Sequence, residues 1–98
     1  MNICRVKGTV VSTTKAEKIN GLKLLLVKPI DLETFEEKGS LVVAIDTVDA
    51  GVGEIVMTVG GSSSRQTAIT ENKPCDQSII AVIDSIELEG KRIFEKHT

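Results

Sequence analysis

Apolar residues in this chain recur in short runs, several of them alternating with polar residues, a pattern typical of β-strands. Candidate strands lie at residues 2–12, 22–28, 41–46, 54–59, 78–88 and 92–94. Turn-rich segments separate them, and Glu89-Gly90-Lys91 predicts a C-terminal hairpin. A short helix or coil is expected over residues 66–72. Five main strands with such connections predict a small all-β barrel or sandwich.

The first strand illustrates the two-residue period. Cys4, Val6 and Val10 are predicted to share one face, and Arg5, Lys7 and Thr9 the other. Gly8 lies inside this strand, where an isolated glycine indicates a β-bulge or a sharp bend.

Two strands are apolar on both faces, at residues 24–27 and 41–45. An antiparallel sheet with one solvated face should alternate cleanly between apolar and polar residues. Scattered exposed aliphatic residues are common in soluble proteins and give one explanation. Burial between subunits gives the other, and we favour it because monomers rarely expose large apolar patches.

The composition of the 98 residues fits one small domain with an aliphatic core. Hydrophobic residues make up 41% of the chain, whereas aromatic residues make up 2%, from Phe35 and Phe94. The net charge of −2 provides no broad attraction to nucleic acid or to an anionic membrane. No apolar run approaches the ~20 residues of a membrane-spanning helix. The absence of a recognisable signal peptide and the two cysteines together predict a reducing cytoplasm.

Neither metal binding nor nucleophilic catalysis is supported by the residue spacing, and we predict no cofactor. Cys4, Cys75 and His97 are far apart in sequence, whereas a zinc site needs clustered ligands. A hydrolase using Cys75 would need a base, and no histidine lies near it in sequence. We therefore expect a protein that is not an enzyme.

Two glycine-rich turns flank the fourth strand and are the most unusual feature of the composition. The first runs from Asp49 to Glu54 and the second from Gly60 to Arg65. The second turn could bind an anion through backbone amides, cap the following segment through its serines, or allow close approach between subunits. The candidate residues for a contact between subunits are Asp49, Gly51, Gly53, Glu54, Gly60, Gly61, Ser62, Ser63, Ser64 and Arg65.

The acidic residues of this region have a simpler interpretation than catalysis. Asp46 and Asp49 could form an acid/base pair, but one more plausibly ends a strand while the other begins the Ala50-Gly51 turn. Glu54 is similarly expected to be a charge at a strand end.

A five-stranded barrel also raises the alternative of an OB-type module that binds single-stranded nucleic acid. Such binding relies on a basic groove and on aromatic side chains that stack with bases. Two phenylalanines and a negative net charge argue against this alternative.

Six segments of the chain, in this order and with this spacing, carry a resemblance that extends to about residue 86. They are Val6-Lys7-Gly8-Thr9-Val10-Val11, Leu24-Leu25-Leu26-Val27-Lys28-Pro29-Ile30-Asp31, Ala44-Ile45-Asp46, Ala50-Gly51-Val52-Gly53-Glu54, Gly60-Gly61-Ser62-Ser63-Ser64-Arg65 and the strand from Asp76 to Asp84. Together they resemble the EutN/CcmL family of bacterial microcompartment vertex proteins. Ser64 stands where the family loop more often has alanine.

This resemblance implies a single OB-like barrel domain over residues 1–98 that assembles as a cyclic homopentamer. It further implies a structural role at the corners of a polyhedral protein shell in the bacterial cytoplasm. Hexameric shell proteins would be the partners, and neither nucleic acid nor membrane is expected to be bound.

Overall fold

A computed structural model describes residues 1–11, 23–60 and 77–96. Its strands are β1 (Asn2–Val10), β2 (Lys23–Pro29), β3 (Val42–Asp46), β4 (Ile55–Gly60), β5 (Gln77–Val82), β6 (Ser85–Leu88) and β7 (Lys91–Glu95). The all-β prediction is therefore confirmed for these residues. The helix or coil expected over 66–72 lies outside them.

The first five strands form a closed barrel in the order β1-β2-β3-β5-β4. All neighbouring strands are antiparallel except β3 and β5, which are parallel. Closure removes the unpaired strand edges that an open sheet would expose. The predicted barrel is confirmed, and the sandwich alternative is not.

The barrel interior is filled by small and medium aliphatic side chains. Leu25, Val27 and Ile79 are fully or almost fully buried, and they pack in one cluster with Val6, Val56 and Ala50. Ala50 belongs to the turn after β3, so this turn contributes to the core. The predicted aliphatic core is confirmed.

A β-bulge in β1 overturns the prediction that Cys4, Val6 and Val10 share one face. Val6 pairs with Val27, but Gly8 pairs with Leu26, so Lys7 is an extra residue in β1. Cys4 and Val6 face the core, whereas Val10 pairs with Leu24 on the outer side. The bulge predicted near Gly8 is present, and it reverses the alternation beyond it.

The single strand predicted over residues 78–88 is also wrong, because it is two strands. The Ile83 amide donates to the Ile55 carbonyl (2.8 Å), and the Asp84 carbonyl accepts from the Lys96 amide (2.7 Å). These bonds take the backbone from the barrel ladder to a separate sheet made by β6 and β7. Periodicity missed the break because apolar residues continue across it, at Ile83 and Ile86.

The predicted C-terminal hairpin is confirmed as this β6-β7 sheet. Glu89 and Gly90 form its turn with positive φ angles of 53° and 81°. Glycine adopts this left-handed backbone without the steric cost that a side chain imposes. Within the described parts of the chain, no helix is long and apolar enough to cross a membrane.

Candidate functional site

The turn between β3 and β4 is organised by the carboxylate of Asp46, whose side chain is 0% exposed. This carboxylate accepts hydrogen bonds from the amides of Val48 (3.0 Å) and Ala50 (2.8 Å). An aspartate that satisfies amides two and four residues ahead stabilises a tight turn. Asp46 is the last residue of β3, which confirms the interpretation that it ends a strand.

Lys23, at the start of β2, connects this turn to the neighbouring strand. Its ammonium donates to Asp49 Oδ1 (3.0 Å) and to the Ala50 carbonyl (2.9 Å), and it lies 3.4 Å from Asp46 Oδ2. The hydrogen bond to Asp49 is the main cause that raises the pKa of Lys23. The positive charge of Lys23 therefore compensates one of the two negative charges of the Asp46–Asp49 pair. Its hydrogen bonds join the start of β2 to the turn.

Glu54 closes the other end of the turn. One carboxylate oxygen, Oε1, accepts from the Gly51 amide (2.5 Å), and the other, Oε2, accepts from the Lys96 ammonium (2.6 Å). A Cβ atom on Gly51 would lie 3.3 Å from Oε1, so glycine permits this close approach. Gly53 has a φ of +91°, which also favours glycine.

The ion pair with Lys96 is the main cause that lowers the pKa of Glu54, and the Gly51 amide adds to it. Asp49 acts in the opposite direction. Because this pKa is lowered, the Glu54 carboxylate stabilises the fold fully at pH values above the pKa that Glu54 has in the unfolded chain. That contribution is lost as the pH falls through the lowered pKa of the folded state.

The turn is also fixed to the barrel wall by backbone hydrogen bonds. The Val6 amide donates to the Glu54 carbonyl (2.9 Å), and the Gly53 amide donates to the Val6 carbonyl (2.8 Å). The turn over residues 47–54 therefore lies on the barrel as an ordered surface, and we refer to it as the central turn.

The outer face of β2 and β3 is apolar, as the two-sided apolar pattern predicted. Leu25 and Val27 point into the core, which places Leu24 and Leu26 outside. Val10 pairs with Leu24, and Val43 pairs with Leu26. Val43 remains 48% exposed. We call Val10, Leu24, Leu26 and Val43 the outer patch.

The two aromatic residues of the chain stack on each other, with ring centroids 5.5 Å apart and planes at 17°. Phe94 belongs to β7, and Phe35 to the loop after β2. The Arg5 guanidinium lies 5.7 Å from the centroid of the Phe35 ring and also pairs with Glu37 (3.1 Å). Lys7 pairs with the same Glu37 oxygen (2.9 Å) and is the main cause that lowers the pKa of this glutamate.

The structure brings together four of the predicted site residues, Asp49, Gly51, Gly53 and Glu54, in the central turn. Gly60 is the last residue of β4. Gly61, Ser62, Ser63, Ser64 and Arg65 lie outside the described residues, as do Cys75 and His97. Among the residues described, no three His, Cys, Asp or Glu side chains are grouped as a metal site.

Sequence reasoning missed the two lysines that hold the central turn, Lys23 and Lys96. They lie 26 and 42 residues from their partners Asp49 and Glu54. Only the tertiary fold brings such distant residues together, so local sequence patterns carry no signal for them.

The model of the family described as "Ethanolamine utilisation protein EutN/carboxysome" matches residues 1–84. The chain belongs to the EutN/CcmL family. It is 40% identical to the carboxysome shell vertex protein CcmL of Nostoc sp., over 98% of this chain and 95% of that protein. The resemblance stated from the sequence is thereby confirmed.

Two solved structures of EutN/CcmL relatives have the same fold. The structure of Gloeobacter violaceus CcmL matches with a TM-score of 0.91 at 38% identity, covering 98% of each chain. The GrpN pentameric microcompartment shell protein of Rhodospirillum rubrum matches with a TM-score of 0.80 at 41% identity, covering 90% of this chain and 99% of that one. These relatives are structural shell vertex proteins, which confirms the prediction of a structural protein that is not an enzyme.

Proposed function

We propose that five copies of this chain form a closed ring that occupies the vertices of a bacterial microcompartment shell. The observation that carries this proposal is the near full-length similarity to shell vertex proteins. The relative from Rhodospirillum rubrum is itself described as pentameric. The comparisons give no support to the alternative of an OB-type nucleic-acid module.

The outer patch supplies a surface suited to ring formation. A cyclic ring uses head-to-tail contacts, in which one face of each protomer meets a different face of the next. The four aliphatic residues of the patch lie side by side on neighbouring strands, and Leu41 next to β3 is also exposed. We propose that this surface is covered by the adjacent protomer.

The glycine-rich turns are proposed to lie at the ring contacts or near the ring axis. For the central turn, the support is its rigid attachment to β1 through Gly53 and Glu54 together with the exposed side chain of Val52. For the segment from Gly60 to Arg65, the support is composition, since small residues allow backbones to approach closely. Its Ser62, Ser63, Ser64 and Arg65 would line or brace the axial opening.

A ring of five protomers has a geometric role in a closed shell. Flat sheets of six-fold tiles cannot close without corners of lower symmetry, and a small five-fold ring fits such a corner. We therefore propose hexameric shell proteins as neighbours, and the bacterial cytoplasm as the location. The single domain is proposed to span residues 1–98.

Deletion of the gene, together with any other vertex-protein genes of its host, should leave shells that close badly. Electron microscopy should show elongated or open compartments, because facets still assemble while corners are missing. Enzyme activity in lysate should persist, since the chain supplies no catalytic group. Reintroducing the wild-type gene should restore closed polyhedra. Normal closed polyhedra in the deletion strain would contradict the vertex role.

The protein is also proposed to bind neither membranes nor single-stranded nucleic acid. Its net charge is −2, and Phe35 and Phe94 stack on each other, so they offer no platform for bases. A fluorescence anisotropy titration with a labelled oligonucleotide at physiological salt should show no saturable binding. Micromolar affinity would instead support the OB-type module.

A further inference from the structure

The C-terminal hairpin is a separate unit that begins where the family model stops, at residue 84. Its base is closed by the Lys96 amide, which donates to the Asp84 carbonyl (2.7 Å). Within it, the Arg92 guanidinium pairs with Glu87 (3.2 Å) and Glu95 (3.0 Å). An isolated two-stranded hairpin is only marginally stable in water. Its position on the barrel therefore depends on its anchors.

Among the described residues, an ion pair and a ring contact, both near the base of the hairpin, join it to the barrel and its loops. The Lys96 ammonium donates to Glu54 Oε2 (2.6 Å), and the Phe94 ring stacks on Phe35. The backbone connection between β5 and β6 adds the hydrogen bond from Ile83 to Ile55 (2.8 Å). No strand pairing joins β6 or β7 to the barrel strands within the described residues. The hairpin is thus an arm attached at one end.

The Glu54 anchor differs from the Phe35 anchor because it has a second function. The same carboxylate that binds Lys96 through Oε2 accepts the Gly51 amide through Oε1. The side chain of Glu54 is 25% exposed, so both bonds are partly protected from solvent. These two bonds together hold the Glu54 carboxylate in one orientation. If either partner is lost, the carboxylate can rotate, and its hydrogen bond to the remaining partner is weakened.

We propose that Glu54 is a positioning residue that couples the docking of the C-terminal arm to the closed conformation of the central turn. A change that opens the turn at Gly51 loosens the arm, and a change that undocks the arm loosens the turn. This coupling is a property of a single protomer. Its consequence for assembly, that a ring contact on the central turn also fixes the arm, rests on the proposed function.

Amide hydrogen exchange measured residue by residue by NMR tests the coupling. Lys96→Met removes the ammonium but keeps a chain of similar length. It should accelerate exchange in β6 and β7 and at the Gly51 amide by roughly three- to tenfold, as expected for loss of a partly exposed charged hydrogen bond. Exchange at Leu25 and Ala44, inside the barrel, should be unchanged. Lys91→Met is the matched control, because Lys91 is also in β7 and makes no ion pair with any described residue.

Glu54→Gln separates the two bonds of the carboxylate. The amide oxygen of glutamine can still accept from Gly51, but the charge that attracts Lys96 is gone. The arm should therefore exchange faster, and the Gly51 amide should exchange at least as fast as in Lys96→Met, because a neutral acceptor also binds that amide more weakly. Faster exchange of the arm in Lys96→Met with no change at Gly51 would overturn the coupling. The coupling would also be overturned if Lys96→Met changed the exchange rate neither in the arm nor at Gly51, or if it raised exchange rates equally throughout the barrel.

The oligomeric state of the wild-type protein is measured first. The proposed ring and the proposed coupling through Glu54 can then be contradicted independently of each other. A monomeric wild type would contradict the proposed ring, while the exchange data would still test Glu54. If the wild type is a pentamer but Lys96→Met has the same amide exchange rates as Lys91→Met, only the coupling is contradicted.

Discussion

Val43→Asp is expected to convert the ring into folded monomers. Val43 is 48% exposed in the single chain and belongs to the outer patch, where it pairs with Leu26. If the adjacent protomer covers this patch, the new carboxylate becomes buried without a partner. Such a charge costs about 3–5 kcal/mol, which weakens each contact by a factor of at least 100. Light scattering coupled to gel filtration should report the monomer mass, and circular dichroism should be unchanged.

Leu32→Asp is the matched control for this substitution. Leu32 is 44% exposed but lies in the loop after β2, away from the outer patch. The same carboxylate at this position should leave the ring intact. A pentameric Val43→Asp variant would show that the outer patch is not the ring contact, and loss of the ring in both variants would show that the effect is not specific to it.

Asp46→Ala is expected to cause the largest loss of stability among substitutions of charged residues in the described chain. It leaves the amides of Val48 and Ala50 without their acceptor and removes a carboxylate from Lys23. A buried group left unsatisfied costs about 1–3 kcal/mol. The bond to Ala50 is buried and the bond to Val48 is partly buried, so the second amide costs less and the free energy of unfolding should fall by about 2–4 kcal/mol. Urea unfolding at a fixed protomer concentration measures this, because ring formation makes stability concentration-dependent.

Asp49→Asn tests whether the loss comes from the buried carboxylate, because asparagine removes the charge and tolerates the positive φ of 59° at this position. Asp49 also pairs with Lys23 (3.0 Å), but its side chain is 95% exposed. A pair of this kind is worth about 0–1 kcal/mol, so the unfolding midpoint should barely move. Equal destabilisation by the two substitutions would mean that the lysine contact, rather than the turn amides, accounts for the effect of Asp46.

The barrel was predictable because its strands carry their own signal. Short apolar runs such as residues 24–27, bounded by turn-rich segments, predicted the strands, and Gly8 predicted the bulge. The consequence of the bulge for Val10 was not predictable, because one extra residue reverses the direction of every later side chain. The break at Ile83 was missed because it is made by backbone hydrogen bonds, which leave no pattern in apolar residues.

The candidate site was predictable only in part, for a related reason. Glycines at 51 and 53 and the acids around them indicate a tight turn from local composition alone. The contacts that fix the turn, from Lys23 and Lys96, join residues far apart in sequence. Such pairs become visible only once the strand order of the barrel and the position of the C-terminal hairpin are known.

Native mass spectrometry of the purified protein is the most direct test of the proposed five-fold ring. We expect the wild-type protein to give one dominant species of five protomers, unchanged over a tenfold dilution in the micromolar range. The Val43→Asp variant should instead give monomers. A wild-type protein that is monomeric at every concentration, or that forms rings of another size, would contradict the proposed ring.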